Sequence, residues 1–350
     1  MPENRAGKDK DPMLVLGIES SCDDTGVGIV ADGREVLAAR VQSSAMLHEE
    51  FGGIVPELAS REHVMAILPA IQNVLTESGI GVGQIDAIAV TRGPGLLGSL
   101  LVGVTAAKTL SLALSRPLIG VNHLEAHLYA NALAASIEFP AVALLVSGGH
   151  SAIYRWSDHG RLQLLGETVD DAAGEVLDKG ARTLGLGYPG GPAVERLART
   201  VSMTDLKLPI PRLRHPERRF DLSFSGLKTA LVDLHQRHPE RLAELAYALE
   251  TAVVESLVRQ AVAAALSENV RHLYLAGGVS ANQRLRAVLE ERAEGHQIEV
   301  HCPLRQYSTD NGAMVACAGY YHWRLGHFMG LDQGPRTPFP LGEDLALTKS

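Results

Sequence analysis

The sequence predicts an α/β protein built from two internally duplicated domains around a central cleft, and three stretches carry that prediction. Residues 13–18 (MLVLGI) form a short apolar run that ends in the polar, glycine-bearing GIESSCDDTG, and a second apolar run, VGIV, follows at once. Residues 141–146 (AVALLV) repeat the plan, with the loop SGGHS and then AIYRW. At 273–278 (LYLAGG) a third apolar run ends in a glycine pair before VSANQRLRAVLEERA opens a helix. Short apolar runs bounded by turn residues read as strands. Strand–loop–strand openings in two successive halves imply duplication at the level of plan. A length of 350 residues suits two domains.

The elements follow in order. Residues 1–12 (MPENRAGKDKDP) alternate charges and lack an apolar core, so they read as a flexible lead-in rather than a secretory signal. The first domain is expected over 13–136. Within it, 62–78 (EHVMAILPAIQNVLTES) is an amphipathic helix that Pro69 should kink or interrupt. GSLLVGVTAAKTLSLAL at 98–114 is almost wholly apolar or small and reads as a buried helix. The second domain is expected over 137–307 and holds a long helix at 241–266. After Tyr307, NGAMVACAGYYHWRLG reads as a late helix of small residues, and about 308–330 should pack back on the first domain. Residues 331–350 are rich in Pro and Gly and read as an irregular tail.

With 46% hydrophobic and 21% charged residues, the chain can bury real cores, which excludes wholesale disorder. No stretch approaches ~18 uninterrupted apolar residues, so no membrane span is expected. Cys22, Cys302 and Cys317 form neither a CxxC pair nor an even framework, as expected of reduced thiols in a cytoplasmic protein. A net charge of −8 argues against a broadly basic nucleic-acid binder. One segment departs from that balance: Lys207, Arg212, Arg214, Arg218 and Arg219 cluster within 207–219. It reads either as a solvated Pro-rich loop or as a contact to a phosphate backbone.

Several constellations could carry chemistry. In Asn122-His123-Leu-Glu-Ala-His127, the two histidines stand at i and i+4, one face of a helix, and can share a metal. Glu125 lies roughly 200° round that helix from His123 and should face away, unlike the glutamate of the HExxH proteases. Two histidines need a third ligand. Asp310, in Tyr307-Ser-Thr-Asp310-Asn311-Gly312, could supply it, or could simply cap the following helix. The loops Val146-Ser147-Gly148-Gly149-His150, Gly277-Gly278-Val-Ser280-Ala-Asn282 and Glu19-Ser20-Ser21-Cys22-Asp23-Asp24 suit phosphate groups, and at corresponding strand ends would line one cleft. In Asp170-Asp171-Ala-Ala-Gly174-Glu175-Val-Leu-Asp178-Lys179 the charges fall at helical spacing, as an exposed paired face or with Asp178 turned to a ribose. Ser223 or Ser225 of DLSFSGLKTA should cap a helix.

Taken together, these motifs resemble the TsaD family, the tRNA N6-adenosine threonylcarbamoyltransferases. The match runs from GIESSCDDTG at 17–26 through PGLLGSLLVG, NHLEAHLYA, LLVSGGHS, DDAAGEVLDK, GLGYPGGP, DLSFSGLKTA and LAGGVSANQRLR to YSTDNGAMVA, roughly residues 13–325, in a form similar to the bacterial branch. The resemblance implies the RNase-H-like two-domain fold shared by actin, Hsp70 and sugar kinases (ASKHA). It implies transfer of threonylcarbamoyl from threonylcarbamoyl-AMP, made by a separate synthase, to N6 of adenosine 37 in tRNAs reading codons that begin with A. It carries a divalent metal, Fe(II) ahead of Zn(II), to His123, His127 and Asp310. Nucleotide or adenylate contacts carry over to Val146, Ser147, Gly148, Gly149, His150, Asp178, Gly191 and Asn282. After GGP the family usually has Asp where this chain has Glu195, with the charge kept on a longer arm. Asp23, Asp24 and His150 are the candidates for the base. The implied partners are the tRNA anticodon stem-loop and TsaB-like and TsaE-like proteins. A small-molecule kinase of the same fold is the alternative, and it would not need the histidine–aspartate set.

Overall fold

The computed structural model describes residues 11–44, 47–48, 53–210 and 218–342. Residues 1–10 of the lead-in, Arg212 and Arg214 of the basic segment, and residues 343–350 of the tail lie outside them.

The described residues form two five-stranded sheets built to one plan. The first has the order β3-β2-β1-β4-β5, from β1 (Leu14–Glu19), β2 (Asp24–Ala31), β3 (Glu35–Ser43), β4 (Ala87–Gly93) and β5 (Leu118–Asn122). The strands β1, β2 and β3 form an antiparallel meander, and β4 and β5 join β1 in parallel. The second, β10-β9-β6-β7-β8, uses β6 (Ala141–Val146), β7 (Ser151–Asp158), β8 (Arg161–Glu167), β9 (His272–Ala276) and β10 (Glu299–His301). Again three strands form a meander and two join the first in parallel. The duplication, too faint to see in residue identity, is plain in topology. Every residue of β1 and β6 is buried, which is why both read as unbroken apolar runs: layers cover both faces of the sheet.

The helix α1 (Pro56–Ser78) opens with a proline in its first turn, where no N–H is needed, and closes at Gly79. It starts earlier than expected and passes through Pro69 without interruption. Pro69 faces solvent, so the carbonyl it leaves unpaired can turn to water. The helix α2 (Leu97–Leu114) differs from the expected buried rod. Leu100, Gly103, Val104 and Ala107 face the core, while Leu97, Leu101 and Leu112 are exposed. It is long and apolar enough to cross a membrane, yet it packs on β4 and α1.

The remaining α-helices named among the described residues are α3 (His123–Tyr129), α4 (Ala173–Thr183), α5 (Gly190–Ala198), α6 (Ser225–Arg237), α7 (Leu242–Ser267), α8 (Gln283–Glu294) and α9 (Gly312–Leu325). Buried side chains of α4, α6, α7 and α8 form one core with the second sheet. The late helix α9 crosses back onto β1, β2 and β4. Glycine makes that approach possible: a Cβ on Gly312 would sit 2.3 Å from the Gly28 nitrogen. The tail is irregular over 331–342 but docked: Arg336 N donates to the Arg92 carbonyl (2.8 Å), and buried Phe339 accepts through its carbonyl from Asn122 Nδ2 (2.9 Å). All three cysteines are free thiols.

Candidate metal centre and adjoining cleft

The strand β5 turns directly into α3. Asn122 caps that helix, its Oδ1 accepting from Leu124 N (2.9 Å) and Glu125 N (3.4 Å). The cap starts the helical count at His123, so His127 falls one turn on, with ring centroids 4.7 Å apart. Asp310 arrives from the other end of the chain. The sequence left open whether it was cap or ligand; Asn311 is the cap of α9, accepting from Met314 N (2.8 Å). Asp310 is thereby free to face the histidines. Its Oδ1 lies 3.1 Å from His127 Nε2 and 3.6 Å from His123 Nε2.

This set fits a divalent cation. The three donor atoms lie within 4.8 Å of one another. Ligands about 2.0–2.2 Å from a tetrahedral ion sit about 3.3 Å apart, close to the observed spacings. Two imidazoles and one carboxylate also leave coordination positions open for a substrate.

Glu19, at the end of β1, is expected from the sequence only as part of a phosphate-suited loop, and it stands instead beside the triad. It is fully buried, and its Oε2 lies 3.1 Å from His123 Nδ1 while also accepting from Thr91 Oγ1 (2.6 Å). Its Oε1 accepts from Ser21 N (2.6 Å). A carboxylate on the far nitrogen orients the ring and presents Nε2 to a metal. Burial pushes the Glu19 and Asp310 carboxyls up, but the His123 charge, with hydrogen bonds from His123 and Ser21 at Glu19 and the His127 hydrogen bond and charge at Asp310, more than offsets this, and both fall below the usual range. Burial pulls His123 down, and Glu19 and Asp310 overcome it, raising its pKa to about 9. Glu125 faces away from the triad, as its helical angle requires, and its Oε2 accepts from His322 Nε2 of α9 (3.0 Å), both residues buried.

A cavity of ≈ 240 Å³ adjoins the triad and is lined by Gly148, Asp178, Gly191, Glu195, Gly278 and Asn282 among others. Thr309, the neighbour of Asp310, also lines it, so cavity and triad share a wall. Asp178 Oδ1 accepts from Gly190 N (2.8 Å) and Gly191 N (3.2 Å) at the start of α5. Burial raises its carboxyl pKa despite those donors. Asn282 caps α8 through Leu285 N (2.8 Å) and donates to buried Glu250 (2.7 Å). Glu195 accepts from Gln283 N (3.0 Å) and pairs with Arg199. Gly277, at φ +86°, lets the β9 loop pass the end of β6, since a Cβ there would lie 2.4 Å from the Val146 carbonyl oxygen.

Other expected residues fall differently. The side chain of Val146 belongs to the core; Ser147, Gly149 and His150 form a tight loop closed by Ser147 N to the His150 carbonyl (2.8 Å), and only Gly148 of this stretch lines the cavity. Asp24 is held high, to about 6, first by burial and then by the Asp23 and Asp310 charges, and its Oδ1 is buried without a partner among the described residues. The surrounding protein, and then the charges of His123 and His127, keep the His150 pKa low. Lys179 takes the paired-face reading, bridging Asp171 (2.8 Å) and Glu175 (2.9 Å), while Asp178 turns inward. The cap of α6 is neither Ser223 nor Ser225: Asp170, from the strand-side loop, accepts from Phe224 N (2.7 Å) and Ser225 N (3.3 Å). A carboxylate from elsewhere does the capping that a local hydroxyl was expected to do. In the basic segment Lys207 is exposed. Arg218 lies 3.9 Å from Asp221, and Arg219 lies over the Phe220 ring and donates to Ser267 Oγ (2.6 Å).

A family model for TsaD, described as tRNA N6-adenosine threonylcarbamoyltransferase, matches residues 35–317. A tRNA N6-adenosine threonylcarbamoyltransferase of Symbiobacterium thermophilum is 49% identical over 336 residues, covering 94% of this chain and 98% of its own. One of Geobacter sp. strain M21 is 45% identical, covering 96% and 98%. Among solved structures, full-length HypF in its phosphate- and nucleotide-bound form aligns with a TM-score of 0.59 at 13% identity, over 91% of this chain and 47% of that one. The (R)-2-hydroxyglutaryl-CoA dehydratase component A of Acidaminococcus fermentans aligns at 0.55 and 16%, over 88% and 98%. These structural likenesses speak for the shared two-domain ASKHA-type fold.

Proposed function

The chain belongs to the TsaD family, the tRNA N6-adenosine threonylcarbamoyltransferases, and on that premise we propose that its donor is threonylcarbamoyl-AMP and that a divalent metal at His123, His127 and Asp310 assists the transfer. The acceptor in this reading is N6 of adenosine 37 in tRNAs reading codons that begin with A. One observation carries the proposal: residues nearly two hundred positions apart converge on a metal-sized gap whose wall is also the wall of the cavity. A small-molecule kinase of the same fold, the alternative reading, would have no use for that convergence.

N6 of adenine is a weak nucleophile because its lone pair is delocalised into the ring. The donor carbonyl is already activated by its AMP leaving group. The protein therefore has to align the two and stabilise charge on the carbonyl and the departing phosphate. A divalent ion, Fe(II) ahead of Zn(II), supplies Lewis acidity when bound. In this reading Asp178 accepts from the ribose through the oxygen it does not spend on α5. Gly148, Gly191 and Gly278 let backbone approach the adenylate, and Asn282 and Glu195 brace the wall behind it. Val146, Ser147, Gly149 and His150 shape the loop that presents Gly148. Asp24 takes the proton from N6, with Asp23 and His150 as lesser candidates: a buried oxygen with no partner among the described residues and a pKa of about 6 suit a base that is ionised at neutral pH. Lys207, Arg212, Arg214, Arg218 and Arg219 hold the anticodon stem-loop.

The same reading places the chain in the cytoplasm, downstream of a threonylcarbamoyl-AMP synthase and beside TsaB-like and TsaE-like partners. Exposed Val64, Met65 and Leu68 of α1, and Leu97, Leu101 and Leu112 of the adjacent α2, support a protein partner on that side. Its domain limits are 13–136 with about 308–330, and 137–307.

Mass spectrometry of tRNA nucleosides, after incubation with threonylcarbamoyl-AMP and the partner proteins, tests the reading. The modified adenosine should appear with the unaltered chain and fall by at least about a hundredfold with His123→Ala. Full activity in a folded His123→Ala enzyme would sink the metal role.

A further inference from the structure

We propose that His272, Glu299 and His301 form a second metal site, for a zinc-like divalent cation, on the edge of the second sheet and separate from the cleft. The strands β9 and β10 pair in parallel, with Glu299 opposite His272 and His301 opposite Tyr274. Glu299 and His301, two residues apart, project from one face of β10. His272 Nδ1 and His301 Nε2 stand 3.0 Å apart. Glu299 offers Oε2 at 3.8 Å from the first and Oε1 at 3.9 Å from the second. All three donor atoms lie within 4.8 Å of one another, with the carboxylate a few tenths of an ångström further from the rings than Asp310 is in the cleft.

The geometry is that of a donor set. A tetrahedral zinc ion places its ligands about 3.3 Å apart. The two imidazole nitrogens are a few tenths of an ångström inside that value and the carboxylate oxygens about half an ångström outside it. The carboxylate is the group that can move: the Glu299 side chain is 68% exposed, those of His272 and His301 only 24% and 17%. The His301 ring is already fixed, stacked on Tyr274 at 4.5 Å with planes 17° apart. Neutral imidazoles and one carboxylate select a borderline cation such as Zn(II) over Ca²⁺ or Mg²⁺. Three protein ligands leave the fourth position to water.

The position gives the site a task. Among the described strands β10 is the shortest, three residues at a sheet edge, and the chain that leaves it reaches Asp310 nine residues later. A cation held by His272 of β9 and by Glu299 and His301 of β10 fastens that strand to the sheet. It does so at the end of β9 away from the cleft, roughly 17 Å from Gly277 at ~3.3 Å per residue. Site and triad can therefore be occupied independently.

Zinc alone, titrated into the metal-stripped full chain against a chromophoric chelator, tests the proposal. The unaltered chain should bind two equivalents. His301→Phe, which keeps an aromatic ring over Tyr274 but removes the ligand nitrogen, should bind one. A His127→Asn, Asp310→Asn chain should keep one equivalent, and adding His301→Phe should weaken it by at least about tenfold. His272→Gln provides a second route to the same loss, with circular dichroism to show each variant folded. Zinc should also raise the melting temperature of the cleft-deficient chain, and not after His301→Phe. If the cleft-deficient chain binds no zinc at micromolar concentration, or binds it equally well with His301→Phe, the two rings share only a proton and the proposal fails.

Discussion

Glu19 shows how far one buried side chain reaches. It meets three partners through two oxygens, and one of those partners is the far nitrogen of His123. Glu19→Gln keeps the shape but weakens the hold on that ring, so metal affinity should drop by about 10–100-fold while the fold persists, as chelator competition can measure. Unchanged affinity would show that Glu19 only fills space. Asp24 gives a prediction in pH. Its folded pKa is raised to about 6, so the proposed base is ionised above that value and protonated below it. The single-turnover transfer rate should hold near neutrality and fall about tenfold per unit below pH 6, and Asp24→Asn should be slow with that limb removed. A variant with the limb intact assigns the titration elsewhere. At this scale the sequence was partly legible. The spacing of His123 and His127 is local and announces itself. Glu19 meets His123 across 104 positions, and nothing in one sequence joins them. Whether Asp310 or Asn311 would cap could not be read either, because both are good caps and backbone geometry chooses.

At the scale of elements, α3 is a seven-residue helix carrying two site residues, too short to stand by itself. It is held at its start by Asn122 and on its far face by Glu125 bonded to His322 of α9. Replacing His322 with Phe leaves the Glu125 carboxyl buried without its donor. That should cost about 1–3 kcal/mol in denaturant unfolding, and an unchanged midpoint would mean that α9 packing alone holds α3. The strands were legible because central strands covered on both faces must be apolar throughout. The helices were less so. Proline in α1 reads as a break unless its exposure is known, and the apolar composition of α2 hides the fact that only one side meets the core. The tail reads as irregular, which it is over 331–342; its hydrogen bonds to Arg92 and Asn122 are tertiary and leave no periodic trace.

For the whole molecule, charge and topology pull in different directions. The chain carries a net −8, which should repel a polyanion, yet it belongs to a family whose substrate is tRNA. A local basic segment offers the resolution: clustered charge can hold RNA while the rest of the surface stays acidic. Arg218 and Arg219 of the proposed patch are exposed, Arg218 lying 3.9 Å from Asp221 and Arg219 held by Ser267 and the Phe220 ring. Reversing both, Arg218→Glu with Arg219→Glu, should weaken binding of an anticodon stem-loop by at least about tenfold and flatten its dependence on salt, because each phosphate that is no longer neutralised keeps about one counterion that binding would have released. Adenylate binding should be unaffected, since neither residue lines the cavity. Two outcomes would count against the patch. Equal RNA affinity would place the stem-loop on another face, and parallel loss of adenylate binding would mean that the substitutions disturb the packing of α7 around Ser267 rather than RNA.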